Sequence, residues 1–385
     1  MKCILTLLGC LVFSSVGFSQ NPKSPSISQL FVFACNSDFS SCPDGFDPTL
    51  NPIQIENALY GVTWWAGKNN PNAAGTIWSY GSKGISVLHT FQPGTQGNFP
   101  GGANPVVSFL QGADGNLYGI TEQGGTQNEG VFFKLSPSGF EVLHNFCSMQ
   151  NCADASGPII LGADGNFYGV VGQTVFRLTP SGAWSLFYTL PSDDFGASLL
   201  LGSDGNFYGV GVVRGSNLDA GLVFKLTPDA QFSVVYELPN FLGISSNLVQ
   251  ASDGNFYGGT TSSGPGTGIF QLTPSGVFTI IYQLSQTVGL SPNLLMQASD
   301  GNLWGLSING GSSSDRPGTI LAVSTSGTLV ASAEFDCTNT GCNPEGMIQA
   351  SDGNFYGTAI KGGNAPGANA EGTLFKVKAG LPPLH

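Results

Sequence analysis

The chain has 385 residues, 41% of them hydrophobic and only 9% charged, with 56 glycines and a net charge of −12. That apolar content excludes a disordered chain, because it can build a core, and the glycine content suits a turn-rich all-β protein. The acidic balance excludes nucleic acid and anionic membrane surfaces as partners.

Met1 to Ser19 reads as a secretory signal. One lysine leads, an apolar run follows to Val16, and Gly17 and Ser19 put small residues at the −3 and −1 positions. The expectation is a secreted protein, extracellular or periplasmic, cut near Ser19. No second hydrophobic segment follows, so no membrane span is expected. Residues 20–379 are expected to form one domain, and residues 380–385 a short tail that is no anchor.

The domain is organised around one repeated stretch, Asp164-Gly165-Asn166-Phe167-Tyr168-Gly169. It returns from Asp114, Asp204, Asp253, Asp300 and Asp352, with Trp304 in place of Tyr in one copy. A worn copy, Glu56-Asn57-Ala58-Leu59-Tyr60-Gly61, precedes them, which makes seven. A period near 50 residues is the range of propeller blades. Four short apolar runs fill each unit, separated by turn residues. In the third unit they are Pro158 to Leu161, Asn166 to Val171, Thr174 to Leu178 and Trp184 to Leu190. Asp-Gly makes the first turn, because Gly tolerates φ > 0 and the Asp side chain bonds the local backbone. The third run alternates apolar and variable positions, as in Phe176-Arg177-Leu178, and recurs once per turn motif. Together these predict an all-β fold, a seven-bladed β-propeller of four-stranded antiparallel blades.

The two ends complement each other. Residues 28–35 resemble a fourth run with no turn motif before it, and the seventh unit stops after its third run at Lys378. The N-terminal strand is therefore expected to complete the last blade and close the ring, which removes the free edge. The expected state is a monomer.

Six cysteines follow the signal as Cys35/Cys42, Cys147/Cys152 and Cys337/Cys342, each pair between a fourth run and the next first run. An even count in a secreted chain reads as disulfides, and the repeat alignment selects local pairing. A metal site is not expected, since the pairs sit in separate units with no histidine beside them.

In an antiparallel meander the Asp-Gly-Asn and Pro-Ser-Gly turns share one face and are uniform. The connections from second to third and fourth to first strands share the other face and vary. Variable loops on a rigid scaffold are where binding concentrates, so that face is the candidate site. Its candidate residues are Trp64, Trp65, Glu122, Arg214, Asp315, Arg316 and Lys361. Trp64-Trp65 is the sharpest signal, because adjacent aromatics in a loop can stack on a sugar or a protein partner. The motif residues Asp114, Asp164, Asp204, Asp253, Asp300 and Asp352 read as turn caps rather than calcium ligands, being too few per turn for six to eight oxygens. The motif Tyr or Trp reads as packing between blades. His89 and His144 occupy matching places in fourth strands and read as structural. His385 is in the tail, so a Ser-His-Asp triad or a histidine metal site has almost nothing to work with. Carboxylates on the variable face, Asp47, Glu345 and Glu371 among them, read as surface charge, with acid–base chemistry as the alternative.

The combination Asp-Gly-Asn-[Phe/Leu]-Tyr-Gly, Gly-Gly and Val-Phe-Lys-Leu-Thr-Pro-Ser-Gly resembles the GloVer (Gloeo/Verruco-type) tandem repeat of secreted bacterial proteins, over essentially the whole mature chain. The resemblance implies a β-propeller repeat on exported proteins, often with a variable C-terminal anchor, which this chain lacks. It transfers no catalytic residue. A weaker similarity, through the Asp-Gly-Asn-Leu-Trp turn, is to the streptogramin lyase propellers. Their activity uses histidine and glutamate with magnesium, and histidine is scarce here. The expectation is thus a non-catalytic binding propeller for an unknown glycan or protein, with no cofactor and no metal. The rival is a lyase or glycan hydrolase working through carboxylates.

Overall fold

The computed structural model describes residues 24–384, except 68–69, 71, 96, 106–108, 147–157, 192–197, 215–218, 239–242, 245–246, 262–266 and 290–291. Seven antiparallel sheets form the blades of a ring, and no helix occurs among the described residues. Blade 1 is Phe46–Ile55, Ala58–Trp65, Thr76–Gly81 and Gly84–Thr90, from the inner strand outward. Blade 3 repeats the order with Ile160–Leu161, Phe167–Val171, Thr174–Leu178 and Trp184–Thr189. The first strands of blades 2 and 5 are each split into two short pieces.

Each Asp-Gly-Asn turn is built the same way. The Asn N–H donates to Asp Oδ1 at 3.0–3.1 Å and the Asn amide to Oδ2 at 2.6–3.1 Å, in six copies. The motif tyrosine adds its hydroxyl to Oδ2 at 2.6–2.9 Å, and in blade 6 Trp304 substitutes Nε1 at 3.2 Å. The carboxylate thus ties the turn to the strand that follows it. In Asp114, Asp164, Asp204, Asp253 and Asp352 burial pushes the carboxyl up, but the bonds from Asn and Tyr together outweigh it. Asp114, Asp164 and Asp253 end below the usual carboxylate range, and Asp204 and Asp352, each with a lysine added, fall to about 2.

The same aromatic then joins blades. Tyr118 lies 4.6 Å from Phe167, Tyr168 4.6 Å from Phe207, Tyr208 4.4 Å from Phe256 and Trp304 4.7 Å from Phe355, each pair spanning neighbouring blades. The outer strands carry a second set of contacts, stacked face to face: His89 on Phe140 at 3.8 Å, His144 on Trp184 at 6.5 Å, Tyr188 on Phe232 at 5.6 Å and Tyr236 on Phe278 at 4.9 Å. The two histidines are therefore members of an aromatic girdle. Burial holds His89 neutral, its pKa lowered to about 4. A glutamine clasp links half the ring, with Ser203, Ser252, Ser299 and Ser351 N–H groups donating to Gln250, Gln297, Gln349 and Gln54 of the next blade at 2.7–2.8 Å.

The ring closes as the sequence implies. Ser26–Cys35 pairs with Asn369–Lys378, from Ser26 opposite Lys378 to Cys35 opposite Asn369. Phe33 is fully buried with Leu59, Trp78 and Leu374, a cluster drawn from blades 7 and 1. At the same seam Gly372 (φ +113°) abuts Pro48, whose Cδ would lie 2.4 Å from any added Cβ. Only glycine fits there.

The cysteines follow the expectation in part. Cys35 and Cys42 are bridged, and Cys147 and Cys152 lie outside the described residues. Cys337 and Cys342 are free thiols rather than a bridge. Their loop is closed by other means: Thr340 N–H donates to Asp336 O at 2.8 Å, and the Asp336 carboxylate accepts the N–H groups of Thr338 and Asn339. Burial and then the Cys337 side chain push the Cys342 thiol up to about 12.

Candidate functional site

The variable face gathers its chemistry at the seam between blades 7 and 1. Three blades share a local sequence at the start of the inner strand: Gly45-Phe46-Asp47-Pro48, Gly102-Ala103-Asn104-Pro105 and Gly341-Cys342-Asn343-Pro344. The third residue takes left-handed backbone in each, with φ of 53° at Asp47, 54° at Asn104 and 57° at Asn343. Asparagine tolerates this conformation, and Asn104 uses its amide to bond Trp64 O at 3.2 Å. Blade 1 alone of the three has a carboxylate there.

That carboxylate is perturbed. Burial comes first, and the neighbouring Glu371 second, in raising the Asp47 carboxyl to about 6; Lys361 opposes them. Glu345, on the inner strand of blade 7, is raised by burial and then by Asp47, against a bond from the Leu50 N–H. Glu371 is raised by burial, against Lys361. Acids held up by burial and by one another belong to functional sites more often than to plain surface.

The indoles stand next to this group. Phe46 pairs with Trp65 and Pro48 with Thr63, which puts Asp47 opposite Trp64. Trp64 and Trp65 stack at 6.1 Å with 18° between planes. Trp65 is 45% exposed, while Trp64 is half-buried with its Nε1 buried and unpartnered among the described residues. Both end the strand Ala58–Trp65 rather than lying in a loop.

The remaining candidates divide. Lys361 ends its strand opposite Cys342, and its charge also reaches Glu371 and Asp47. Asp315 is exposed on the neighbouring loop of blade 6 and acts on the same Cys342 thiol; Arg316, also exposed, follows it. Glu122 is half-buried in blade 2 and Arg214 ends a strand of blade 4, so neither joins the seam. The site residues that sequence reasoning passed over are Asp47, Glu345 and Glu371, which it took for surface charge. The signal was available: a lone Asp where two aligned copies have Asn. Among the described residues no three His, Cys, Asp or Glu side chains stand close enough to hold a metal ion.

The Gloeobacter/Verrucomicrobia repeat matches residues 18–198 and again 195–381. The chain belongs to this family. No curated protein sequence matches this family member. Among solved structures, a streptogramin B lyase is 14% identical with a TM-score of 0.59, over 94% of this chain and 99% of that one. A catalytically inactive virginiamycin B lyase from Staphylococcus aureus, solved with quinupristin, is 13% identical with a TM-score of 0.60, over 92% and 99%. At such identity the likeness establishes the propeller alone.

Proposed function

We propose that this member of the Gloeobacter/Verrucomicrobia repeat family is an exported, non-catalytic binding propeller. Its ligand, a glycan or a protein segment, would be taken on the variable face at the seam of blades 7 and 1. The observation that carries the reading is Trp65, 45% exposed and stacked on Trp64, at the end of the strand paired with the one that carries Asp47. A large exposed indole on a rigid strand end supplies contact area with little ordering entropy to lose. The carboxylates and the lysine supply directional bonds to hydroxyl or amide groups. Export is supported by the leader-like residues 1–19 and the Cys35–Cys42 bridge. A glycan and extracellular-protein binding screen with residues 20–385 tests the reading, and failure of every Trp65-dependent interaction overturns it.

A second reading, acid–base catalysis, draws on one observation: Asp47 raised to about 6 beside Glu371. An acid that holds a proton near neutral pH can give one to a leaving group. The two lyase relatives support only the fold, so they add nothing to this reading. Turnover of a bound glycan that is abolished by Asp47→Asn would favour it over simple binding.

A further inference from the structure

The opposite face, where the uniform turns lie, opens into a cleft at the seam of blades 7 and 1 and another at the seam of blades 1 and 2. Between blades 2 and 3 the motif aromatic sits under the Pro-Ser-Gly turn of the following blade, where the Tyr118 hydroxyl reaches the Pro180 carbonyl at 3.5 Å. Tyr118, Tyr168, Tyr208, Tyr257 and Trp304 are buried, whereas Tyr60 of blade 1 and Tyr356 of blade 7 are half-buried. Blade 7 has no such turn, because its fourth strand is the N-terminal one. The C-terminal segment supplies the roof instead, with Leu381 packed into the Trp304 cluster and the Pro382 carbonyl accepting from Ser299 at 3.2 Å.

Between blades 7 and 1 the adjoining turn is Tyr80-Gly81-Ser82-Lys83-Gly84, and blade 1 has Glu56-Asn57 in place of Asp-Gly. Tyr356 is half-buried there. A cleft of about 260 Å³ opens there, lined by Gln54, Asn57, Tyr80, Ser82, Asp352 and Tyr356 among others. Its floor is rigid, since Tyr80 and Tyr356 pack on the buried cluster of Phe33, Leu59, Trp78 and Leu374.

We infer that this cleft is a second binding site, distinct from the variable face, and that it takes an uncharged sugar unit. The lining chemistry selects that class. Two tyrosine rings offer apolar surface for the C–H face of a pyranose. The Asn57 amide and the Ser82 and Tyr80 hydroxyls have no side-chain hydrogen bond of their own among the described residues and can serve ring hydroxyls as donors or acceptors. The one charged group, Asp352, is matched by Lys376 at 3.1 Å, which also donates to the Tyr356 hydroxyl at 2.6 Å. Neither an anion nor a cation therefore finds an uncompensated counter-charge. The volume suits one ring of a longer glycan rather than a drug-sized ligand.

Saturation-transfer NMR on residues 20–385 with free glucose, galactose, mannose, xylose and N-acetylglucosamine tests this. At least one sugar should give protein-transferred signal. Tyr80→Ala, which removes one platform, and Ser82→Trp, which fills the mouth from an exposed position, should each weaken its binding by about tenfold or more. Trp64→Ala/Trp65→Ala should leave it unchanged, which separates this site from the variable-face reading. Melting curves confirm that each variant is folded, and Ser82→Trp decides the matter should Tyr80→Ala unfold. Absence of signal from all five sugars overturns the inference, as does binding that survives both cleft variants or that is lost with the tryptophans.

Discussion

Asp47 lies opposite Trp64 across the first two strands of blade 1, between the Phe46–Trp65 and Pro48–Thr63 pairs. The position is the one filled by Asn104 and Asn343 in other blades, so the carboxylate is a local departure from the repeat. It has a thermodynamic consequence. An acid whose folded pKa is raised to about 6 destabilises the fold increasingly as pH rises from the unfolded value near 4 through 6. Asp47→Asn should therefore melt higher than the parent at pH 7 and alongside it at pH 4. Equal melting at both values would mean that Asp47 is ordinary surface charge.

The turn carboxylates act with the opposite sign. Asp204 and Asp352 are lowered to about 2, so their contribution is complete above about 4 and is lost as pH falls towards 2. His89, lowered to about 4, favours the fold above about 6.5, and that contribution is lost as pH drops from there to 4. Between pH 6.5 and 4 the loss at His89 is opposed by the gain at Asp47, so acid unfolding monitored by circular dichroism should steepen below pH 4. His89→Phe should change the slope between pH 6.5 and 4 only.

Asp164→Ala removes three bonds to one carboxylate, the one from the Tyr168 hydroxyl among them. A hydrogen bond to a charged group contributes about 1.5–3 kcal/mol net, and less where the carboxylate is exposed to solvent. The variant should lose roughly 2–3 kcal/mol of stability in denaturant titration. A loss within error of zero would show that the turn is held by its glycine alone.

Much of this was legible in advance because the repeat says everything seven times. Blade number, strand order and closure by residues 28–35 all follow from alignment of the units. The contacts that bind blades were less legible. The glutamine clasp joins residues 45, 47 and 50 apart at three seams and 297 apart at the closing one, the His89–Phe140 stack likewise crosses between units, and a period within one unit does not show which side chains meet across a seam. The candidate site was legible only as a face. Trp65 stood out by type, whereas Asp47 and Glu371 matter through burial and mutual repulsion, which residue type alone does not carry. The Cys337/Cys342 loop misled the alignment because Asp336 and Thr340 close it without a covalent bond.

Removal of residues 20–34 should unzip the seventh blade. The loss includes the Phe33 contact with Trp78 and Leu374 and the whole pairing with Asn369–Lys378. Burying a single Phe is worth about 1.5–3 kcal/mol, and the exposed edge invites association. The truncated protein should melt many degrees lower and elute partly as oligomer in size-exclusion chromatography. Unchanged melting would sink the closure argument.

Peptide mapping under non-reducing conditions should recover Cys35 joined to Cys42, with Cys337 and Cys342 as thiols, and the buried Cys342 should alkylate only after unfolding. A thiol pushed up to about 12 is a poor nucleophile. Any bridge joining different blades would contradict the structure.

The central claim is that the Trp64/Trp65 end of blade 1 binds the protein's partner. The direct measurement is the affinity of the first glycan or protein ligand recovered, by calorimetry, for the parent, for Trp65→Ala and for the Trp64→Ala/Trp65→Ala pair, with melting recorded for each. The account predicts that Trp65→Ala weakens binding by about 2 kcal/mol while its melting stays close to the parent's, and that Asp164→Ala does the reverse. Normal binding by the tryptophan variants, together with early melting, would contradict it and make the two indoles packing residues.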